Sequence, residues 1–394
     1  MRAVTAAALG YAATAATTPL SSGKAFSIAP MMKHTHAFHR SFMKLVAPAA
    51  TLFSEMVTAD EVLAAPESAL FQTYLELEAD ECHGTILQLG SRDAELLASA
   101  VEVASTHPSF PFSRFNLNVG CPSDTVATKH AFGCSLMLEP DLTAACCAAM
   151  KAAAPGAEIS VKCRVGVDDC DSEEELHQFI STVHERGGVD YFQIHARKAI
   201  RGLAPRSNRS VPPLCYNHVY GVARAFPHLR IEINGGIETI QDAQGHLEAC
   251  QELAGVMVGR AVVNHPYSFV GGLAADTRPR PSRGEILDAY IDLVSKAYQP
   301  VRGASSSVAR AVAPAYNLFV GVEGGASQRF QRKLTTLSGR GISSPALILR
   351  EARRELGQAA LDSTSFKSPS ELLADAPWLH LSKRSHSPMK ANIL

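Results

Sequence analysis

The chain has 394 residues, 46% of them hydrophobic and 19% charged, with a formal net charge of −1. That is enough apolar material for one large core and a smaller domain, while bulk charge argues neither for nor against a nucleic-acid partner. No run of 18 apolar residues occurs, which argues against a membrane-spanning helix. The nine cysteines are odd in number and lack CxxC pairs, so no metal site is expected and a reduced, intracellular compartment fits.

Residues 1–24 are rich in Ala, Thr and Ser, and no acid precedes Glu55. This reads as an organellar transit peptide, mitochondrial or plastid, against a secretory signal or a plain disordered extension in a cytoplasmic protein. Eight apolar, β-branched runs then recur: Phe26–Pro30, Leu52–Met56, Thr85–Gly90, Arg114–Gly120, Ile159–Val165, Tyr191–Ala196, Arg230–Gly235 and Gly255–Arg260. The segments between them are long enough for crossover helices. Ser172-Glu173-Glu174-Glu175 is a capping-box pattern, followed by Leu176, Phe179, Ile180 and Val183 at helical spacing and closed by Gly187-Gly188. Eight such units over residues 25–275 predict a (β/α)8 TIM barrel, with a doubly wound sheet as the alternative. Helical patterns at 283–299, 305–319 and 326–338 predict a smaller all-helical domain over 276–345. The remainder, 346–394, reads as one helical piece followed by a disordered end.

A TIM barrel gathers its chemistry at the C-terminal ends of its strands. There stand Pro30, Met31 and Met32; Gln88; Asn118 and Cys121; Lys162 and Arg164; His195, Arg197 and Lys198; Asn234, Gly235 and Gly236; Gly259 and Arg260. Polar residues on apolar strands need partners, so a ligand is expected at this rim. The glycines after the last two strands, with Arg260, suit a phosphate, and Lys162 suits an anionic ring. On its residues alone, Cys121 is open between a catalytic thiol and a structural one.

The segment NLNVGCPS at 116–123 resembles the active-site signature of the tRNA-dihydrouridine synthases. So do APM at 29–31, SEMVT at 54–58, LQLGS at 87–91, FGCSLM at 132–137, VKCRVGVDD at 161–169, IHARKA at 194–199, INGGI at 233–237 and GVMVGR at 255–260. SEMVT, IHARKA and the stretch from Asn208-Arg209 to Pro212-Pro213-Leu214 resemble the bacterial A-type subfamily, which acts on tRNA D-loop uridines 20 and 20a. The resemblance implies FMN held by Pro30, Met31, Met32, Gln88, Lys162, His195, Asn234, Gly235, Gly236, Gly259 and Arg260. It implies NADPH as electron donor, Cys121 as proton donor to the uracil, and Asn118 on a flipped base, which enzymes acting on bases require.

Between Tyr191 and Ile231 there are seven cations and no acid, and from Arg278 to Arg340 ten cations against four acids. These stretches are read as the tRNA grip. Its expected contacts are Arg197, Lys198, Arg206, Arg209, Arg329 and Arg332, in a monomer. The sequence departs from the family after APM, where Lys33-His34-Thr35 replaces an acidic-aromatic-Thr run. It departs again at Cys134, one position from the family's cysteine in FGACLM. The rival readings are another FMN barrel reductase acting on a small molecule, of the dihydroorotate dehydrogenase or old-yellow-enzyme type, and a tRNA-binding barrel without catalysis.

Overall fold

Strand and helix alternate from Ala25 to Asn264, and every strand pair is parallel. The computed structural model describes residues 23–64, 84–107, 111–123, 126–127, 131–273, 279–298 and 305–365; all but the last two residues of the expected leader (1–24) and the tail beyond 365 lie outside them. The strands are β1 (Ala25–Ile28), β2 (Thr51–Phe53), β3 (Val57–Thr58), β4 (Thr85–Gly90), β5 (Arg114–Val119), β6 (Glu158–Arg164), β7 (Tyr191–His195), β8 (Arg230–Asn234) and β9 (Gly255–Val258). β1 pairs with both β2 and β9, and β2 also pairs with β4, so the sheet closes on itself. Closure excludes the doubly wound alternative. The second stave is broken in two. Ser54 still pairs with β4 through its N–H on Ile86, the chain turns at Glu55, and β3 rejoins β4 opposite Leu89 and Gly90.

The crossover helices are α1 (Ala37–Val46), α2 (Ala59–Ala64), α3 (Ala94–Ser105), α4 (Pro140–Ala153), α5 (Glu173–Gly187), α6 (Tyr216–Ala225), α7 (Ile240–Ala249) and α8 (Ala261–Asn264). α5 starts at the expected capping box, with Ser172 and Glu175 each accepting the other's N–H, and it ends at Gly188 in the left-handed conformation. Inside the barrel the strands alternate inward and outward. Phe53, Ile86, Tyr191 and Met257 fill its floor, all buried. Above and beside them lies a polar layer, in which Ser27 Oγ and Tyr191 Oη donate to Glu232 Oε1 and Asn116 Nδ2 donates to Ser160 Oγ and Gln193 Oε1. Below the floor, Glu158 takes ion pairs from Arg114 and Arg230.

The helical unit follows: α9 (Arg283–Ala297), α10 (Ser305–Val312), α11 (Ala326–Ser338), α12 (Pro345–Arg353) and α13 (Gln358–Leu361). It extends past residue 345, the boundary expected from sequence, because α12 buries Ile348, Leu349 and Ala352 against α9 and α11. Three ties fix it to the barrel. Phe42 meets Tyr290 edge to face at 5.1 Å. Asn317 Nδ2 donates to Val263 O at 2.9 Å. Arg310 pairs with buried Glu55 at 2.5 Å. Arg283 has no exposed surface; it stacks on Tyr267 and donates to the carbonyls of Leu318 and Ser365. No helix among the described residues is long and apolar enough to cross a membrane. Nor does any group of three His, Cys, Asp or Glu there suit a metal ion.

Candidate active site

The upper ends of β4 to β9 bring together most of the residues expected at the rim. Asn118 organises the centre. Its Oδ1 accepts from the N–H groups of Gly120 (3.2 Å) and Cys121 (3.0 Å), and its Nδ2 donates to Gln88 Oε1 at 2.9 Å. Gln88 Nε2 in turn donates to Asn116 Oδ1 at 2.7 Å, and Asn116 reaches Gln193. A chain of side-chain amides thus runs from the barrel interior to the Cys121 loop, and each amide's orientation is fixed by the next. Gln88 is 1% exposed and spends an amide atom on each neighbour.

Cys121 is clamped from its other side as well, where its carbonyl accepts from Cys134 N–H at 3.0 Å. Gly133 makes that approach possible. It adopts φ +64°, and a Cβ there would lie 2.6 Å from Cys121 O. Burial pushes the Cys121 thiol up, opposed by its hydrogen bond with Ser123 and the charges of Arg164, Lys162 and Arg209. The thiol therefore keeps its proton at neutral pH while facing a field that stabilises its anion. Cys134 has no exposed surface and burial lifts its thiol to about 11, which makes it a packing residue.

Arg164, placed at the rim by the sequence but given no role there, joins two loops of the site. It is buried, and donates from Nε to Gly120 O at 2.8 Å and from Nη1 to Lys198 O and Asn208 O at 3.1 and 3.2 Å. One guanidinium so joins the Cys121 loop to the loop after β7. Burial lowers it to about 10. Its position, two residues beyond Lys162 on an inward-facing register, was the signal available in the sequence. Asn208 completes the joint, buried and bonded to Ile200 and Leu203.

Lys162 rises beside these groups with no ion pair among the described residues, and burial brings it down to about 8. His195 is driven well below its ordinary value, first by burial, then by the charges of Arg164, Lys162, Arg197 and Arg260. It is neutral at physiological pH. Its ring packs on Gly235, where φ is +111° and a Cβ would lie 2.4 Å from His195 Cδ2. Gly236 is also left-handed, at φ +73°. The N–H groups of Gly235, Gly236, Gly259 and Arg260 have no protein acceptor among the described residues. A Cβ on Gly259 would meet nothing within 4 Å. Asn234 turns away, with Nδ2 on Met257 O at 2.8 Å. Pro30 and half-buried Met31 line the β1 side, and Met32 is 53% exposed. The mouth thus gathers Lys162, Arg164 and Arg260 with unused N–H donors along one edge, a setting suited to an anion.

The expected tRNA cations divide into two groups. Lys198 is paired with Asp171 at 2.7 Å and Arg201 with Asp168 at 2.6 Å, both acids from the loop after β6. Arg197 donates to Pro212 O. On α11, Arg329 donates to Glu355 O and Gly324 O, while Arg332 is exposed and has no partner among the described residues. Arg206 and Arg209 also have none, and Arg209 Nε is buried and unsatisfied. Arg209 stands close enough to act electrostatically on Cys121, Arg164 and His34.

Against known proteins, a family model described as "Dihydrouridine synthase (Dus)" matches residues 27–318. The chain belongs to the dihydrouridine synthase family. The match spans the whole barrel and the first helices of the second unit. Among its relatives in this family, the "tRNA-dihydrouridine(20/20a) synthase" of Shewanella oneidensis is 37% identical over 338 residues, 84% of this chain and 95% of that one. The Vibrio cholerae protein of the same name is 43% identical over 242 residues, 61% of this chain and 70% of that one. The Synechocystis protein of that name is 39% identical over 274 residues, 68% and 78% of the two chains. A solved structure titled "Crystal structure of TcOYE with pHBA" superposes loosely, with a TM-score of 0.41 at 9% identity over 61% of this chain and 86% of that one.

Proposed function

We propose that this dihydrouridine synthase reduces uridine in tRNA to 5,6-dihydrouridine at the positions its relatives' names carry, 20 and 20a, using FMN and NADPH. The observation that carries the reading is the placing of Cys121. A protonated thiol is held by its own N–H and C=O at the edge of a cationic bowl. Flavin mononucleotide fits that bowl. Its phosphate would take the free N–H groups at Gly235, Gly236 and Gly259 and the Arg260 guanidinium, and its ring would lie near Lys162 and His195, over Pro30, Met31 and Met32. The amides of Gln88 and Asn234 support this lining. When bound, FMN supplies hydride to uracil C6, with NADPH as the electron source.

Cys121 Sγ gives its proton to C5, so that hydride and proton together saturate the C5=C6 bond. The thiolate left behind lies in the field of Arg164, Lys162 and Arg209 and recovers its proton from solvent. Asn118 fixes the thiol's backbone and has one amide proton left for the base. Arg197, Arg206, Arg209 and Arg332 remain as phosphate contacts, with Lys198 and Arg329 weakened for that role by their protein partners.

The test is tRNA lacking the modification, incubated with enzyme and NADPH and mapped by mass spectrometry. Dihydrouridine at 20 or 20a is expected. Cys121→Ala should retain flavin and its reduction by NADPH, yet slow reoxidation by tRNA by ~10²–10⁴, the range for a lost general acid. Cys134→Ala should do little. Normal turnover by the Cys121 variant would sink the proton-donor assignment.

A further inference from the structure

The loop between β1 and α1 carries three exposed side chains, Met32, Lys33 and His34, on a backbone held with unusual thoroughness. Thr35, fully buried, accepts Met31 N–H at its Oγ1 (2.9 Å) and returns a bond to Met31 O (3.2 Å). The N–H groups of His34 and Thr35 both close on Met31 O. Arg40, 2% exposed, donates to Thr35 O at 2.9 Å. Glu55, 2% exposed, accepts Lys33 N–H with one oxygen and the Arg310 guanidinium with the other. Three buried polar side chains are thus spent on one short turn.

The turn also carries strain. Lys33 sits at φ +70°, a conformation that glycine adopts freely and lysine rarely does. Glycine here would relieve the backbone, so the side chain is kept against a conformational cost. The protein makes no other use of it: Lys33 is exposed and has no carboxylate partner among the described residues, since the charge of Glu55 is taken by Arg310. His34 lies within the field of Arg209, which ties this turn to the mouth across from the loop after β7. Lys33 follows β1, while Arg206 and Arg209 follow β7, three strands away around the closed sheet, so two positive edges stand on different sides of the mouth, with His34 between them lowered toward its neutral form by burial and Arg209. A small anion needs only one such edge. A backbone with a phosphate on each side of a single inserted nucleotide needs two.

We propose that the Lys33–His34 turn is a second phosphate-contact edge for tRNA, Lys33 taking the backbone on the side of the mouth opposite Arg206 and Arg209. This rests on the functional reading above. It adds a contact at a position where the sequence departs from the family pattern.

The experiment is equilibrium binding of unmodified tRNA to flavin-loaded, full-length protein over a KCl series. The variants are Lys33→Gly and Lys33→Arg, with Lys151→Ala as control, because Lys151 ends α4 on the side where the chain enters β6, away from the rim, and donates to Gly188 O. Each phosphate contact contributes roughly 0.7–0.9 to the slope of log K against log salt. Lys33→Gly should lower the slope by about that amount while melting no lower than wild type, since glycine suits the positive φ. Lys33→Arg should keep the slope, and Lys151→Ala should leave it unchanged. An unaltered slope and affinity in Lys33→Gly, or an equal loss in Lys151→Ala, overturns the proposal. Wild-type protein that fails to bind tRNA overturns the functional reading and this edge with it.

Discussion

Asn118 offers a choice between two roles that a double-mutant cycle can separate. If its task is to hold the thiol, Asn118→Ala acts through Cys121; if it grips the base, it acts on substrate directly. The substitution removes three hydrogen bonds, two on the N–H groups of Gly120 and Cys121 and one on Gln88. At a net ~1 kcal/mol each, this costs roughly 3 kcal/mol of stability, visible as a lower urea midpoint. It also frees the Cys121 loop on one side, and a misplacement of about 1 Å at a reacting group can cost ~10² in rate. Single-turnover reoxidation of reduced flavin by tRNA is then measured in wild type, Asn118→Ala, Cys121→Ala and the double variant. We expect the Asn118 substitution to cost ~10²-fold with the thiol present and almost nothing without it. Asn118→Asp, which keeps the oxygen that accepts the Gly120 and Cys121 N–H groups, should retain most of the rate. Full multiplicative effects in the double variant would refute the positioning role and place Asn118 on the base.

Two further outcomes follow from the geometry. Gly259→Ala should leave the stability of the flavin-free protein unchanged, because its Cβ meets no protein atom, yet lower flavin occupancy; Gly235→Ala should lower both, because its Cβ collides with His195. Equal flavin content in wild type and Gly259→Ala would remove the cofactor from that edge. Burial raises buried Glu232 to about 7. The folded state then holds a proton that the unfolded chain releases from about 4.5 upward, so stability falls as pH rises through that window and is lost to the extent of about 3 kcal/mol above it. Glu232→Gln, neutral throughout, should gain on wild type between pH 5 and 8 in urea titrations, and parallel curves would show that Glu232 does not titrate there.

The barrel was legible because strand runs and glycine-ended helices leave a periodic trace, down to the capping box at Ser172 and Glu175. The Cys121 segment was legible because it is a contiguous motif. What sequence could not show is pairing across distance. Lys198 and Arg201 stand in an acid-free stretch, yet Asp171 and Asp168, on a neighbouring βα loop, neutralise them in space. The same holds for the amide chain from Gln193 to Asn118, whose members are scattered polar residues on three strands. Arg164 passed as one more strand cation because its acceptors are backbone carbonyls, which carry no side-chain signature. The end of the helical unit was set too early because α12 is amphipathic and short, and only its packing on α9 and α11 assigns it.

The packed floor of Phe53, Ile86, Tyr191 and Met257, with the Arg114–Glu158–Arg230 ion triplet beneath it, closes the barrel from below, so that among the described residues the rim is its open end. Under the proposed function NADPH and tRNA both come to the flavin through that end, so the two half-reactions alternate, each reactant waiting for the other to leave, and residence time at the entrance becomes as much a determinant of turnover as the chemistry within.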